Sequence, residues 1–223
     1  MFDEKSTLEK ALAKVARTAG RVKDAIPYRT VDGRYDDLSE REISWWTNGF
    51  WPGVLWLAYR ETKDPELAAW ATGAERRLDR SLEEYLGLYH DVGFMWKLSS
   101  VARYAIKGDL DARRRAMHAA NLLAGRFNLA GRFIRAWNDD KVGWAIIDCL
   151  MNLPILYWAS EESGDPRFRQ IAEAHTETAQ KHFLYPDGSS KHIVEFDPHS
   201  GFYVKNHGGQ GYSETSAWSR GAA

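Results

Sequence analysis

The feature that most constrains the fold of this chain is an alternation between two kinds of helical segment. Three segments are apolar on nearly every face, at residues 50–60, 92–106 and 143–160. Four others combine one apolar stripe with a charged face, at residues 7–25, 65–85, 110–127 and 166–183. A helix that is apolar all round must be enclosed, whereas a striped helix lies outside it. The alternation therefore predicts repeated pairs of outer and inner helices, an all-α toroid, with a plain helical solenoid as the structural alternative.

Composition excludes several classes of protein. The 223 residues carry 30 Lys and Arg against 31 Asp and Glu, a balance that argues against a nucleic-acid binder. The single cysteine, Cys149, excludes an intramolecular disulfide framework and a multi-cysteine zinc site. No uncharged apolar run reaches about 18 residues, and the first residues are polar, so we expect neither a membrane span nor a signal peptide. The simplest expected location is the cytoplasm.

The connections between the predicted helices are unequal. Those that lead from an inner to an outer helix are short, whereas residues 26–48, 128–142 and 184–210 form long connections into inner helices. Long ordered loops in a compact domain are usually functional. We therefore expect the chemistry at the mouth that these loops share. Residues 191–196 alternate in the manner of a strand, which predicts a hairpin within the last loop.

Two acidic residues stand out on the predicted inner helices. Asp148 lies in an apolar run, four residues before Asn152, so that the two would share a helix face. Burial would raise the pKa of the Asp148 carboxyl and suit it to act as a general acid, although a buried cap or an Arg partner explains it equally well. Asp91 precedes another inner helix. It is either the N-cap of that helix or a second carboxylate at the same mouth, and the two interpretations are compatible.

Aromatic and histidine residues complete the candidate site. The chain has ten Trp, and Trp46, Trp137 and Trp218 stand beside polar residues at loop or helix starts, as expected for rings that stack on sugars. His192, His199 and His207 share the last long loop. They lack the spacing of a metal site, so loop histidines or substrate hydrogen-bond donors are the better interpretation, and we expect no metal.

At these residues the sequence resembles a known family. The motifs lie at residues 46–53, 90–94, 144–154 and 210–213, with Trp218–Gly221 after them. They resemble glycoside hydrolase family 88, the unsaturated glucuronyl hydrolases, from about Trp45 to Gly221. The resemblance implies an (α/α)6 barrel of twelve helices. Because this chain offers seven helices and the start of an eighth near Gly211, we expect residues 1–223 to form a single, incomplete catalytic domain.

The resemblance also implies a reaction and its residues. The substrate is an oligosaccharide left by a polysaccharide lyase, and the reaction hydrates the C4=C5 bond of its terminal unsaturated glucuronic acid. Asp148 matches the general acid and base, and Asp91 matches the second essential carboxylate. No cofactor and no metal are implied. The positions that match sugar contacts are Trp46, His90, Trp137, His192, Gln210, Trp218 and Arg220.

Three rival functions remain at this point. An unsaturated rhamnogalacturonyl hydrolase would share the barrel and mechanism but act on pectin fragments. A truncated, non-catalytic carbohydrate-binding remnant would keep the aromatic residues without turnover. A sugar epimerase on a similar barrel would need paired histidines on inner helices, which this sequence lacks. The sequence predicts an unsaturated uronic-acid oligosaccharide as the partner, with no nucleic acid and no membrane, and leaves the oligomeric state open.

Overall fold

Aspartate residues cap the N-termini of some of the helices. A computed structural model describes residues 3–84, 87–214 and 216–218. The helices are α1 (Glu4–Val22), α2 (Phe50–Thr62), α3 (Pro65–Glu83), α4 (Val92–Trp96), α5 (Ala102–Lys107), α6 (Leu110–Ala124), α7 (Pro154–Ser163) and α8 (Pro166–Phe183). Asp64 and Asp165 accept hydrogen bonds from the second residues of α3 and α8, and a proline opens each helix. These caps satisfy amide groups that would otherwise lack partners.

Short elements lie between the helices. Among the described residues, 3-10 helices lie at Leu38–Glu40, Trp46–Gly49 and Ile147–Asn152, and a π turn, Lys97–Val101, joins α4 to α5. The strands are β1 (Thr30–Val31), β2 (Arg34–Tyr35), β3 (Phe127–Asn128), β4 (Phe133–Ile134), β5 (Trp144–Ile146), β6 (Ile193–Phe196) and β7 (Tyr203–His207). The hairpin predicted from residues 191–196 is confirmed, because β6 and β7 pair antiparallel.

Residue contacts divide the chain into two units. The first comprises Met1–Gly87 with Met95–Ala116. Its core includes Leu55 and Trp56 of α2 and Leu67 of α3, all buried. The opposite face of α2 exposes apolar side chains, at Phe50, Val54 and Leu57. The expectation that an apolar helix is enclosed on every side is therefore wrong for α2, because an apolar pattern does not say how many sides a neighbour covers.

The second unit comprises Leu88–Phe94 with Met117–Ala223. It contains a three-stranded antiparallel sheet in the order β5-β6-β7, with β6 in the centre. Phe133 stacks on Phe196 in the buried core of this unit, with ring centroids 4.7 Å apart. Gly143 lies so close to β6 that a Cβ there would overlap the carbonyl oxygen of Phe196. Only glycine therefore fits at the start of β5.

The segment at residues 143–160 differs most from its prediction. It is a strand, a 3-10 helix and then α7, rather than one inner helix. Trp144–Ile146 are aromatic or apolar residues that suit a strand, and they pair with β6, a partner remote in sequence. A helix begins only at Pro154, whose missing N–H is tolerated in the first helical turn.

Two smaller predictions concern the other inner helices. The helix expected at residues 92–106 is confirmed, with the π turn inside it. The helix start expected near Gly211 is wrong for residues 211–214, which form bends and a turn. The chain enters this stretch through a turn at residues 208–211, which a hydrogen bond from the Gly211 N–H to the Gly208 carbonyl closes, and its glycines favour turns over helices. Within the described ranges no helix is long and apolar enough to cross a membrane.

Candidate active site

A buried histidine between two carboxylates forms the centre of the candidate site. His90 Nε2 lies 3.4 Å from Asp91 Oδ1 and 3.6 Å from Asp148 Oδ1. The side chain of His90 is 2% exposed, that of Asp91 is 19% exposed and that of Asp148 is 54% exposed. The structure thus brings together three of the residues that the sequence singled out, all within the second unit.

Strand pairing, rather than helix periodicity, positions these residues. The His90 N–H donates to the carbonyl oxygen of Ala136, and the Ala136 N–H donates to that of Trp144 at the start of β5. Asp148 follows β5 directly, on the 3-10 helix Ile147–Asn152. Backbone hydrogen bonds therefore connect the two acidic residues through the same stretch of extended chain.

Burial sets the protonation of His90 and Asp91. Burial lowers the pKa of His90 to about 4; the Asp148 charge raises this pKa and Arg126 lowers it further. Burial also raises the pKa of Asp91 to about 6, against the Asn152 amide and the Arg126 guanidinium, which both lower it. At neutral pH, His90 is therefore a neutral imidazole, and Asp91 takes up a proton under mildly acidic conditions.

The expected burial of Asp148 is wrong. More than half of its side chain is exposed, because it projects from a 3-10 helix after an edge strand rather than from an enclosed α-helix. Asn152 does not share its face, since a 3-10 helix has three residues per turn. Instead, Asn152 is buried and its Oδ1 accepts the Phe94 N–H of α4, at 2.8 Å.

A second group of predicted residues lies at the start of β6. The ring of His192 stacks on Trp218, with centroids 4.5 Å apart, and His192 Nδ1 accepts the Gln210 N–H at 3.0 Å. The His192 carbonyl accepts the N–H of Ile147, the residue before Asp148. This bond connects the group of His192, Gln210 and Trp218 to the carboxylate centre.

The remaining predicted sugar contacts lie elsewhere. Trp137 is half-buried, 5.9 Å from Trp144 between ring centroids, and the Lys141 ammonium lies 4.8 Å above the Trp137 ring. Trp46 belongs to the first unit, where it is 41% exposed and meets the edge of Phe50. Arg220 lies outside the described residues. The roles assigned to these residues stay predictions.

The comparison with known sequences decides the family. Residues 18–223 match Glycosyl Hydrolase Family 88. The chain belongs to this family. It is 35% identical to an unsaturated glucuronyl hydrolase of Bacillus sp. (strain GL1), over 96% of this chain and 57% of that protein. It is 36% identical to an unsaturated chondroitin disaccharide hydrolase of Streptococcus pyogenes serotype M1, over 99% of this chain and 56% of that protein. The family 88 chain thus spans a little more than half the length of these relatives.

Solved structures agree with the family assignment. An unsaturated glucuronyl hydrolase from Streptococcus agalactiae matches with a TM-score of 0.88 at 32% identity, over 99% of this chain and 57% of that one. A UGL variant with dGlcA-Glc-Rha-Glc matches with a TM-score of 0.86 at 33% identity, over 96% of this chain and 58% of that one. The predicted fold class, the α/α toroid of this family, is therefore confirmed, as is the resemblance drawn from the motifs.

Arg126 organises the candidate site, and sequence reasoning missed it. Arg126 is buried just after α6 and donates to the carbonyl oxygens of Leu88, Arg135 and Ala136. It also donates to Asn138 Oδ1. It thereby ties together the two loops that carry His90 and Trp137. Its position after Gly125, at a helix end, was the only local signal, because bonds to remote carbonyl groups leave no pattern in the sequence.

The residues around the site also bear on metal binding and on thiol chemistry. Across the part of the chain that the structure describes, no three His, Cys, Asp or Glu side chains group in a manner that could hold a metal ion. Cys149, next to Asp148, is fully buried, and burial raises the pKa of its thiol well above the usual value. The thiol is therefore a poor nucleophile at neutral pH.

Proposed function

We propose that this chain carries the acid-base site of a hydrolase that acts on 4,5-unsaturated uronic acids. The substrate is an oligosaccharide left by a polysaccharide lyase, with the unsaturated glucuronic acid at its non-reducing end. The observation that carries the proposal is the placement of His90 Nε2 within 3.6 Å of both Asp91 and Asp148. The names of the family 88 relatives support the same substrate class.

The exposure of the two carboxylates supports different roles. Asp148 is open enough to touch a bound sugar, whereas Asp91 is largely covered. We therefore assign proton transfer to Asp148 and support of the centre to Asp91. A substrate carboxylate held near Asp148 favours its protonated form, because like charges disfavour ionisation. The neutral His90 ring adds no positive charge that would hold Asp148 ionised.

The proposed reaction is a hydration followed by ring opening. The Asp148 carboxyl gives its proton to C4, the π electrons form the new C4–H bond, and positive charge develops at C5 and the ring oxygen. Water adds at C5 and returns a proton to the Asp148 carboxylate. The hemiketal then opens by breaking the bond between C5 and the ring oxygen. The hemiacetal left at C1 breaks down and releases the adjoining sugar.

The sugar contacts are proposed from the group near β6. Trp218 offers a flat ring held by His192, and Gln210 is exposed beside it. Trp46, Trp137 and Arg220 complete the proposed set. Because several relatives are named for unsaturated chondroitin disaccharides, we propose such a disaccharide as the first substrate to test.

The proposal is tested by ultraviolet absorbance. The C4=C5 bond is conjugated with the carboxylate and absorbs, and hydration removes the signal. The 223-residue chain is incubated with unsaturated chondroitin, heparin and rhamnogalacturonan disaccharides, each in a parallel sample. Asp148→Asn is the inactive variant, and Glu177→Gln, an exposed acid in the same unit, is the matched control.

The expected result is loss of absorbance on a glucuronyl disaccharide with the parent and with Glu177→Gln, and none with Asp148→Asn. Turnover of the rhamnogalacturonan substrate alone would replace the proposed substrate class with its rival. A folded chain that binds the disaccharides without turnover would contradict the proposed reaction and favour a carbohydrate-binding role.

A further inference from the structure

A second buried histidine lies behind the carboxylate centre. His175, on α8, is 1% exposed, and its Nδ1 accepts the backbone N–H of Ile134 at 3.0 Å. Burial lowers the pKa of His175 to about 3, so the ring is neutral. A neutral imidazole that accepts at one nitrogen carries its proton on the other. The His175 proton is therefore on Nε2, a buried atom that has no hydrogen-bond partner among the described residues.

His90 presents the complementary atom. Its Nε2 faces the oxygens of Asp91 and Asp148, where an ionised carboxylate requires a donor. Because the ring is neutral, a proton on Nε2 leaves Nδ1 as an acceptor. His90 Nδ1 is also buried with no hydrogen-bond partner among the described residues. A buried polar atom left without a partner costs about 1–3 kcal/mol, so two complementary atoms in one region favour a shared bond.

One short segment anchors both histidines. Ile134 donates its N–H to His175, and two residues later the Ala136 carbonyl accepts the N–H of His90. Both rings therefore lie beside this segment, and a positive charge on the His90 ring would lower the pKa of His175. All four residues belong to the second unit.

We propose that His175 is a positioning residue for the reaction proposed above. Its Nε2–H donates to one buried water, and that water donates to His90 Nδ1. This bond holds the His90 proton on Nε2, where it faces the two carboxylates. A chain of hydrogen bonds then runs from the Ile134 amide through both imidazoles to Asp91 and Asp148.

The bond matters because either tautomer of a neutral His90 is otherwise available. With its proton on Nδ1, the ring would present a lone pair to the two carboxylates and repel them. With its proton on Nε2, it donates to them and orients them. His175 thus selects the form of His90 that supports the carboxylates, without touching the substrate itself.

The direct test is nuclear magnetic resonance of the imidazole nitrogens in the ¹⁵N-histidine-labelled chain. The expected result is a protonated Nε2 and a hydrogen-bonded, unprotonated Nδ1 on His90. The variant His175→Asn keeps an acceptor for the Ile134 N–H but loses the Nε2–H donor. In this variant the His90 Nδ1 signal should move. His182→Asn, the same change on the same helix, should leave that signal in place.

The kinetic test separates positioning from structure. His175→Asn should lower kcat about tenfold, the value of one neutral hydrogen bond, with KM little changed. His175→Gln places an amide donor near the position of Nε2 and should restore most of kcat. A merely structural role would lower the melting temperature of both variants and leave kcat of the folded protein unchanged.

Two results would overturn the inference. One is a His90 proton on Nδ1 in the parent chain, and the other is a His90 Nδ1 signal that His175→Asn does not move. The nitrogen signals need no substrate. If the parent chain turns over none of the disaccharides, the proposed function fails while the bond between the histidines is still decided.

Discussion

The carboxylates of the two units of this family 88 chain have different partners. In the first unit, Glu75 of α3 is 1% exposed and accepts from Trp56 Nε1 at 2.5 Å and from Arg115 at 2.7 Å. Arg103 reaches it at 3.3 Å. In the second unit, the partner of Asp91 and Asp148 is a neutral imidazole.

These partners explain why we propose different roles for the carboxylates of the two units. Burial raises the pKa of Glu75, and Trp56 and the two guanidinium groups lower it in part. A guanidinium keeps its proton at any ordinary pH, so Arg103 and Arg115 stay charged and bind Glu75 in a cluster that joins helices. A neutral imidazole supplies no such counter-charge, and burial raises the pKa of Asp91 beside it to about 6. The nature of the basic partner, rather than burial alone, separates Glu75 from the acids of the proposed site.

The largest expected effect is on turnover by Asp148→Asn. Loss of the proposed acid should lower kcat by about 10²–10⁴-fold, the usual contribution of general acid-base catalysis. Because the side chain is half-exposed, the free energy of unfolding should change by no more than about 0.5 kcal/mol. Absorbance assays and urea denaturation measure the two quantities. Retained turnover would remove Asp148 from the mechanism.

For Glu75→Gln we expect a loss of stability with turnover little changed. Removing this charge leaves Arg103 and Arg115 without their shared buried partner, which should lower the free energy of unfolding by about 3 kcal/mol. The kcat of the folded protein should stay within about twofold of the parent, since surviving native molecules keep the other site. Glu177→Gln, which breaks an exposed pair with Arg132, is the control and should cost less than about 1 kcal/mol. Equal losses of unfolding free energy in the two variants would contradict the claim that the burial of Glu75 makes its ion pairs matter more than the exposed pair of Glu177.

Asp91→Asn should stabilise the protein above pH 6. The pKa of Asp91 is raised from 3.8 to about 6, so the folded state binds the proton more tightly than the unfolded state. Stability is therefore lost as pH rises from about 4 to 6, and the variant avoids this loss. At pH 8 it should gain about 2–3 kcal/mol over the parent, and the gain should vanish near pH 4.

Urea denaturation at the two pH values measures this gain. Asp187→Asn is a control of opposite sign, because hydrogen bonds from Ser189 lower the pKa of Asp187. That variant should lose stability at pH 8 relative to pH 4. A gain from Asp91→Asn that is the same at both pH values would mean that the carboxyl is not held in an unfavourable charged form.

The smallest expected effect is on substrate affinity. Gln210→Ala should raise KM by up to about tenfold with kcat unchanged, since it removes one hydrogen bond of roughly 0.5–1.5 kcal/mol. Gln170→Ala, an exposed residue of α8, is the control and should not change KM. A fall in kcat for Gln210→Ala would place Gln210 closer to the reacting atoms than proposed.

The sequence predicted the helices well because their signals are local. Asp64 with Pro65 and Asp165 with Pro166 marked the starts of α3 and α8 at the observed residues. The same reasoning failed around Asp148, where apolar residues suit a buried helix and a buried strand equally. Residues 144–146 form a strand because they pair with β6, about fifty residues away in the sequence. No local pattern reveals that pairing.

The site was predicted only in part for the same reason. The motifs pointed to His90, Asp91 and Asp148, and these residues do meet. The expected burial of Asp148 was wrong, however, since Asp148 is the open acid and Asp91 the covered one. Arg126 and His175 were missed, because both act through backbone groups that the fold brings from other segments.

The most direct test of this account is a carbon-13 titration of the aspartate carboxyl groups by nuclear magnetic resonance. The Asp91 signal, identified by its loss in Asp91→Asn, should titrate near pH 6, and His90 should remain neutral from pH 5 to pH 8. An Asp91 carboxyl that titrates below pH 4, beside a protonated His90, would show a charged ion pair in place of a neutral imidazole. Such a result would contradict the claim that a neutral imidazole distinguishes the proposed catalytic centre.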